Sequence, residues 1–230
     1  MSPKVSYSLE KPVAIITMDD QKANALSFTM FDELNAALDR AIVDDVAIVL
    51  TGRSTVFCAG FDLKSVDENG KLPNGLVDEG LAFALRIMEH PRPIVMACGG
   101  HAVAMGALLL LCSDYRIGAE GEYRIVTSEV SIGMVFPWGG IELARQRLAP
   151  SHFTRALNLA EPFSPVAAVE AGFLDEVTGH GELIAAATRK ATELARLDPV
   201  VYAKVKSQTL ENAIRSIRAG ELRDHEARGA

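Results

Sequence analysis

The chain has 230 residues, 49% of them hydrophobic and 23% charged, as in a soluble globular protein, and a formal net charge of -7 that argues against a nucleic-acid footprint. The length suits one large domain, or one domain with a small appendage, and is enough to bury a sizeable core. The longest apolar run, Ala102 to Cys112, is too short to span a bilayer, and Met1 to Leu9 is polar with no apolar h-region, so the chain reads as cytoplasmic with no membrane partner.

In chain order, Val13 to Met18 reads as a buried strand, and Asp19 to Asn24 as a polar connection. Ser27 is placed to cap a helix running to about Ile42, with Phe28, Phe31, Leu34, Leu38 and Ile42 at helical spacing. Val46 to Leu50 is a second strand, and Phe57-Cys58 a short third one. Asp67 to Asp78 is polar, contains Gly and Pro, and reads as a mobile loop before a helix over Glu79 to Glu89. Pro91 to Pro93 ends that helix, and Ile94 to Cys98 is another strand. Gly106 to Cys112 is ambiguous between buried helix and strand, while Asp114 to Ile117 and Tyr123 to Val126 read as short strands.

The texture changes near Pro165. Helical segments are expected over 165–172, 183–197 and 199–220, the last amphipathic with Lys204, Lys206, Arg215 and Arg218 on a solvated face, followed by a charged tail that either frays or packs on a partner. The recurrence of strand, strand and helix before residue 140 predicts an α/β structure wound from ββα units. The helical end reads as an oligomerisation or lid region.

Two segments about forty residues apart carry the chemistry: Phe57-Cys58-Ala59-Gly60-Phe61-Asp62-Leu63, and Gly99-Gly100-His101-Ala102-Val103-Ala104-Met105-Gly106-Ala107. Each places a turn of small residues after a strand-like stretch. Together they offer two backbone N–H groups to one oxygen, an oxyanion hole that requires a chain path rather than a particular side chain. Three cysteines, Cys58, Cys98 and Cys112, lie in apolar stretches and read as buried free thiols in a reducing compartment. No His/Cys/Asp group has metal-ligand spacing, so no metal is expected, and the scattered glycine pairs make neither a phosphate loop nor a dinucleotide fingerprint.

These segments resemble the two oxyanion-hole loops of the crotonase superfamily, the enoyl-CoA hydratase/isomerase family. Ser113-Asp114-Tyr115-Arg116-Ile117 resembles the strand after the second loop, Asn24-Ala25-Leu26 the early loop bordering the CoA site, and Ala171-Gly172-Phe173-Leu174-Asp175-Glu176-Val177 the late segment before the C-terminal helices. The four fall in the expected order over nearly the whole chain. The resemblance implies a ββα spiral core over 1–164, a C-terminal helical oligomerisation segment over 165–230, and assembly as a homotrimer or hexamer. It implies an acyl-CoA thioester substrate of fatty acid metabolism, with coenzyme A part of the substrate and no separate cofactor. It assigns the hole N–H groups to Phe61 and Met105, and substrate and CoA contacts to Lys22, Ala23, Ala25, Ala59, Gly60, Asp62, Leu63, Lys64, Gly106 and Trp138. Consecutive glycines are usual at the second hole, and here only Gly106 remains.

By the same resemblance, hydratases use two glutamates at positions that fall here on Leu108 and Glu129. Leu108 carries no proton. Hydration needs a water deprotonated at C3 and C2 protonated, which two carboxylates divide well. Moving a double bond from C3 to C2 needs one base that takes a proton beside the thioester carbonyl and returns it at C4. The stretch after Glu129 also resembles that of single-glutamate mitochondrial Δ3,Δ2-enoyl-CoA isomerases, so isomerase is favoured over hydratase, with a catalytically silent acyl-CoA-binding protein as a third reading. Phe136, Trp138 and Leu108 are expected to desolvate Glu129 and raise its pKa. Against these readings, Glu129 is a possible cap or surface carboxylate. Glu142 is either a second acid, replacing the one missing at position 108, or a residue favoured by a helix N-terminus. His101 reads as a structural histidine and Asp62 as a cap for the following helix.

Overall fold

The computed structural model describes residues 3–65 and 72–229. Strands β1 (Val5–Glu10) and β2 (Val13–Met18) form an antiparallel hairpin, and β2 continues in parallel to β3 (Ala47–Thr51) after helix α1 (Phe28–Asp44). From β3 the chain winds as a spiral. Strands β3, β5 (Ile94–Cys98) and β7 (Tyr115–Ala119) join one sheet, while β4 (Val56–Cys58), β6 (His101–Val103) and β8 (Ile125–Val126) join another. Helices α2 (Asn74–Met88) and α3 (Met105–Leu110) separate successive strand pairs. The larger sheet has the order β1-β2-β3-β5-β7-β9, closed by β9 (Glu176–Thr178), and the smaller one β4-β6-β8. This is the anticipated ββα winding.

Local signals explain much of it. Ser27 caps α1, its hydroxyl accepting the Met30 N–H at 3.2 Å. Strands β3 and β5 are buried at every residue, as parallel strands covered on both faces must be, and read in sequence as unbroken apolar runs. Helix α7 (Leu183–Leu194) packs on β3, β5 and β7. The chain after residue 164 thus contributes both a strand to the main sheet and the helix that covers it.

Several expectations need correction. The buried face of α1 is Met30, Phe31, Leu34, Ala37, Leu38 and Ala41, while Phe28 and Ile42, at the edge of that arc, are 48% and 45% exposed. Helix α2 begins at Asn74, five residues before the expected Glu79, because Leu76 already belongs to the core. Of the expected loop over Asp67 to Asp78, residues 67–71 lie outside the described residues. Strands β1, β6 and β9 and helix α5 (Pro150–Leu157) are additions to the sequence reading. The last helix, α8, runs unbroken over Pro199–Gly229, so Gly220 is interior to it and the charged tail is helical. Lys206 is buried rather than solvated: its Nζ pairs with Asp114 Oδ2 at 3.0 Å and donates to the Ile87 carbonyl at 3.3 Å. The three thiols are free and buried, and burial pushes each up to about 12.

The late motif has a structural meaning. Arg116 of β7 is buried, and its guanidinium donates to both oxygens of Asp175 at 2.9 and 2.6 Å and to the Gly172 carbonyl at 2.8 Å. Asp175 also accepts the Arg116 N–H at 2.8 Å, which ties the turn after α6 (Pro165–Ala171) to the sheet. Removing one partner of such a pair strands a buried charge. Asp175→Ala should therefore lower unfolding free energy by about 2–3 kcal/mol in urea titrations, with Asp175→Asn less affected.

Candidate active site

The site forms where the two turns of the spiral meet. Gly60 has φ +84°, and a Cβ there would lie 3.0 Å from the Val103 carbonyl and 3.4 Å from the Met105 nitrogen. A Cβ at Gly106 would lie 2.2 Å from the Cys58 carbonyl, so only glycine lets α3 approach β4 this closely. On the first segment, the Leu26 N–H donates to the Gly60 carbonyl and the Asp62 N–H to the Leu26 carbonyl, while the Phe61 N–H between them finds no backbone acceptor among the described residues. On the second, the Ala104 N–H donates to the Val126 carbonyl, and Met105, first residue of α3, likewise has an uncommitted N–H. The residue before it, Ala104, has φ 51° and ψ -125°, a conformation glycine adopts freely and alanine only under strain.

Ala59, Phe61 and Met105 line a cavity of about 210 Å³, and Glu129 enters it from the loop after β8. Glu129 precedes a 3-10 turn over Val130–Ile132 but makes no side-chain cap bond, which removes the capping role. Its Oε2 is sealed from solvent and has no hydrogen-bond partner. Burial pushes its carboxyl up to about 7, with only its own backbone N–H opposing. Glu129 is the one ionisable side chain among the described residues lining the cavity, and apart from Ser128 the other lining side chains are apolar. Leu108, 2% exposed, occupies the wall where a second carboxylate was sought.

The remaining expected residues divide. Leu63 lines the cavity, and Asp62 caps the 3-10 turn over Leu63–Ser65 by accepting the Lys64 N–H at 3.1 Å. Lys22 and Lys64 are exposed and outside the cavity; the Lys22 carbonyl accepts from Arg53 at 2.7 Å. The Ala23 carbonyl accepts the Ala59 N–H at 3.0 Å and so ties the early loop to the first segment, while the Ala25 N–H donates to Asp20 at 3.3 Å within that loop. Trp138 and Phe136 border a neighbouring groove, with Trp138 47% exposed, while Leu108, Ile132, Met134 and Pro137 line the cavity with Glu129. Glu142 sits beyond the first turn of helix α4 (Trp138–Arg145), pairs with Arg145 at 3.3 Å, and does not line the cavity. His101 is exposed and its Nδ1 accepts the Arg124 N–H at 3.2 Å, a structural role. Val77 and Gly140 line the cavity from the two segments expected to shape the pocket, Asp67 to Asp78 and the stretch after Val135, while Leu81 of α2, which read in sequence as an ordinary helix position, was missed.

Among the described residues, Asp78, Glu221 and His225, none of which lines the cavity, bring three potential ligand atoms within 4.8 Å, and Arg228 already pairs with Asp78 at 2.7 Å. No helix among the described residues is long and apolar enough to cross a membrane.

The sequence matches the enoyl-CoA hydratase/isomerase family model over residues 8–226. An enoyl-CoA isomerase from Mycobacterium tuberculosis is 41% identical and superposes with a TM-score of 0.91, covering 96% of this chain and 97% of that one. An enoyl-CoA hydratase from Mycobacterium marinum is 36% identical with a TM-score of 0.89, covering 95% and 96%. A carnitinyl-CoA dehydratase from Salmonella typhi is 28% identical over 98% of this chain and 90% of its own length.

The raised carboxyl has a thermodynamic signature. An unfolded chain ionises Glu129 near the ordinary glutamate value of 4.5, while the folded chain holds the proton up to about 7, so folding is disfavoured increasingly as pH rises between these values. Glu129→Gln removes that penalty. Its stability relative to the parent should grow by about 3 kcal/mol between pH 4 and pH 8 in urea titrations, and a gap constant with pH would show that the carboxyl is not buried in this way.

Proposed function

The chain belongs to the enoyl-CoA hydratase/isomerase family, and within it we propose that this protein is a Δ3,Δ2-enoyl-CoA isomerase that works with the single carboxylate of Glu129. The observation that carries this reading is the wall itself: one ionisable side chain, a leucine at position 108, and otherwise apolar groups with one serine.

In the proposed reaction the thioester oxygen of a 3-enoyl-CoA accepts hydrogen bonds from the Phe61 and Met105 N–H groups. The Glu129 carboxylate takes a proton from C2. The C2–H pair becomes the C1–C2 double bond of a dienolate, and the carbonyl pair moves onto the oxygen held in the hole. The Glu129 carboxylic acid then protonates C4. The C3–C4 π pair forms the new C4–H bond, the C1–C2 pair becomes the C2–C3 double bond, and the carbonyl reforms. Nothing is oxidised, no water is consumed, and the glutamate ends as it began. A carboxyl near pKa 7 suits both halves, because it is basic enough to take the proton and acidic enough to return it.

Hydration would require a water held and deprotonated at C3, and the described wall offers no second titratable group to do so. The names of similar proteins span isomerase, hydratase and dehydratase, so they support the shared thioester chemistry more than one outcome. The apolar lining favours an unsubstituted hydrocarbon chain over a zwitterionic one. Family membership also supports a homotrimer or hexamer, with the CoA nucleotide near the exposed Lys22 and Lys64.

The test is a time course with trans-3-enoyl-CoA and, separately, trans-2-enoyl-CoA, read by product chromatography. The 3-enoyl ester should convert to the 2-enoyl ester without 3-hydroxyacyl product. Its kcat/KM should rise with pH through an apparent pKa near 7, since the ionised carboxyl starts the reaction. Glu129→Gln should lower turnover roughly a thousandfold while retaining ester binding. A 3-hydroxyacyl product would make the protein a hydratase, and binding without turnover a non-catalytic acyl-CoA-binding protein.

A further inference from the structure

The C-terminal end of α8 reaches two walls of the acyl cavity. Helix α2 supplies Val77 and Leu81 to the cavity, and the start of α4 supplies Gly140, with Pro137 just before it. That first turn reads Trp138-Gly139-Gly140, and two glycines make it a weak helix start. Its own N-cap residue, Pro137, provides no side-chain acceptor.

The acceptor comes from far along the chain. Asp224 of α8 accepts the Trp138 N–H on Oδ1 at 3.1 Å and lies 3.4 Å from the Gly139 nitrogen through Oδ2. Two further contacts secure the same turn. The Arg223 guanidinium lies 5.4 Å from the centroid of the Trp138 ring. Gly220 allows the backbones to touch, since a Cβ there would lie 2.6 Å from the Gly139 nitrogen. Gly139 in turn faces the cavity wall, because a Cβ built on it would meet Leu81 Cδ1 at 2.9 Å. One turn beyond Asp224, Arg228 pairs with Asp78 at 2.7 and 3.3 Å, next in sequence to Val77. Asp78 is thereby committed to the arginine, which marks this corner as a latch between helices rather than a cation site.

We propose that Asp224 is a positioning residue for the acyl pocket: by capping α4 from another helix, it holds Pro137 and Gly140 against the acyl chain and sets the chain length the enzyme accepts. The carboxylate satisfies two otherwise orphaned N–H groups and lies at the positive end of the helix. Without it the glycine-containing first turn frays, and the wall loses its fixed distance from Leu81.

This inference rests on the acyl-CoA reading of the cavity, and a binding experiment separates the two. Dissociation constants for CoA, butyryl-CoA and octanoyl-CoA are measured by calorimetry on the full chain and on Asp224→Ala and Asp224→Asn. The parent should bind octanoyl-CoA more tightly than CoA. In Asp224→Ala, octanoyl-CoA binding should weaken about fivefold and the preference between the two esters should shrink, while CoA alone changes by less than about twofold. Asp224→Asn, which keeps an acceptor without the charge, should fall between; if the alanine variant does not fold, this variant carries the test through the same ligand ratio. A parent indifferent to the acyl chain overturns the acyl-pocket reading and this one with it. A parent that prefers octanoyl-CoA, with variants unchanged or weakened equally for ester and CoA, overturns the role of Asp224 and leaves the pocket reading standing.

Discussion

The structure depends on the close approach of the chain at Cys58 to Gly60 against the chain at Val103 to Gly106. Two segments separated by a full turn of the spiral come within van der Waals contact through backbone atoms. That contact is possible only because Gly106 presents no Cβ to the Cys58 carbonyl and Gly60 takes a positive φ. It leaves the Phe61 and Met105 amides uncommitted on the wall of one cavity. The smaller parallel sheet holds the approach: β4 pairs with β6, and β6 with β8, so one short ladder ties both amides to the strand before the Glu129 loop.

Strain and desolvation are concentrated around the cavity. Ala104 occupies a backbone region that costs on the order of 1–3 kcal/mol for a residue with a Cβ, immediately before the amide of Met105. Glu129 keeps an unpaired, sealed carboxylate oxygen against aliphatic side chains. Neither feature aids folding. Both have the form expected when stability is traded for a prepared site, and the surrounding core of β3, β5, α3 and α7 supplies the rigidity that tolerates them.

The far end of the chain serves the site at one remove. Helix α8 packs on α4 and α2 rather than extending away, and its buried Lys206, Ile217 and Gly220 mark the line of contact. A polar residue such as Lys206 tolerates that burial because Asp114 and the Ile87 carbonyl receive it. The walls of the cavity are therefore built from the middle of the sequence and braced from its end.

Much of this was legible in the sequence where one residue or one short run decides the outcome. Ser27 marks a helix start through its own hydroxyl, unbroken apolar runs mark β3 and β5, and small residues at 60 and 106 mark tight backbone paths. Glu129 stood out because Leu108 left it without a partner. Strands β6 and β9 have three residues each, too few to show a period, and β1 is an exposed edge whose polar residues conceal it. Gly220 and the charged tail read as a helix ending, since propensity cannot register a glycine required by a neighbouring helix. The path of α4 places Trp138 on a neighbouring groove and pairs Glu142 with Arg145. The sequence by itself determined the winding and the tight small-residue turns at 60 and 106, and it singled out Glu129 as the candidate carboxylate, because these rest on local backbone freedom and residue chemistry. Tertiary structure alone decided which apolar side chains surround the Glu129 carboxyl and which distant carboxylate caps the wall beside it, because burial and capping across helices depend on distances between segments that no local pattern encodes.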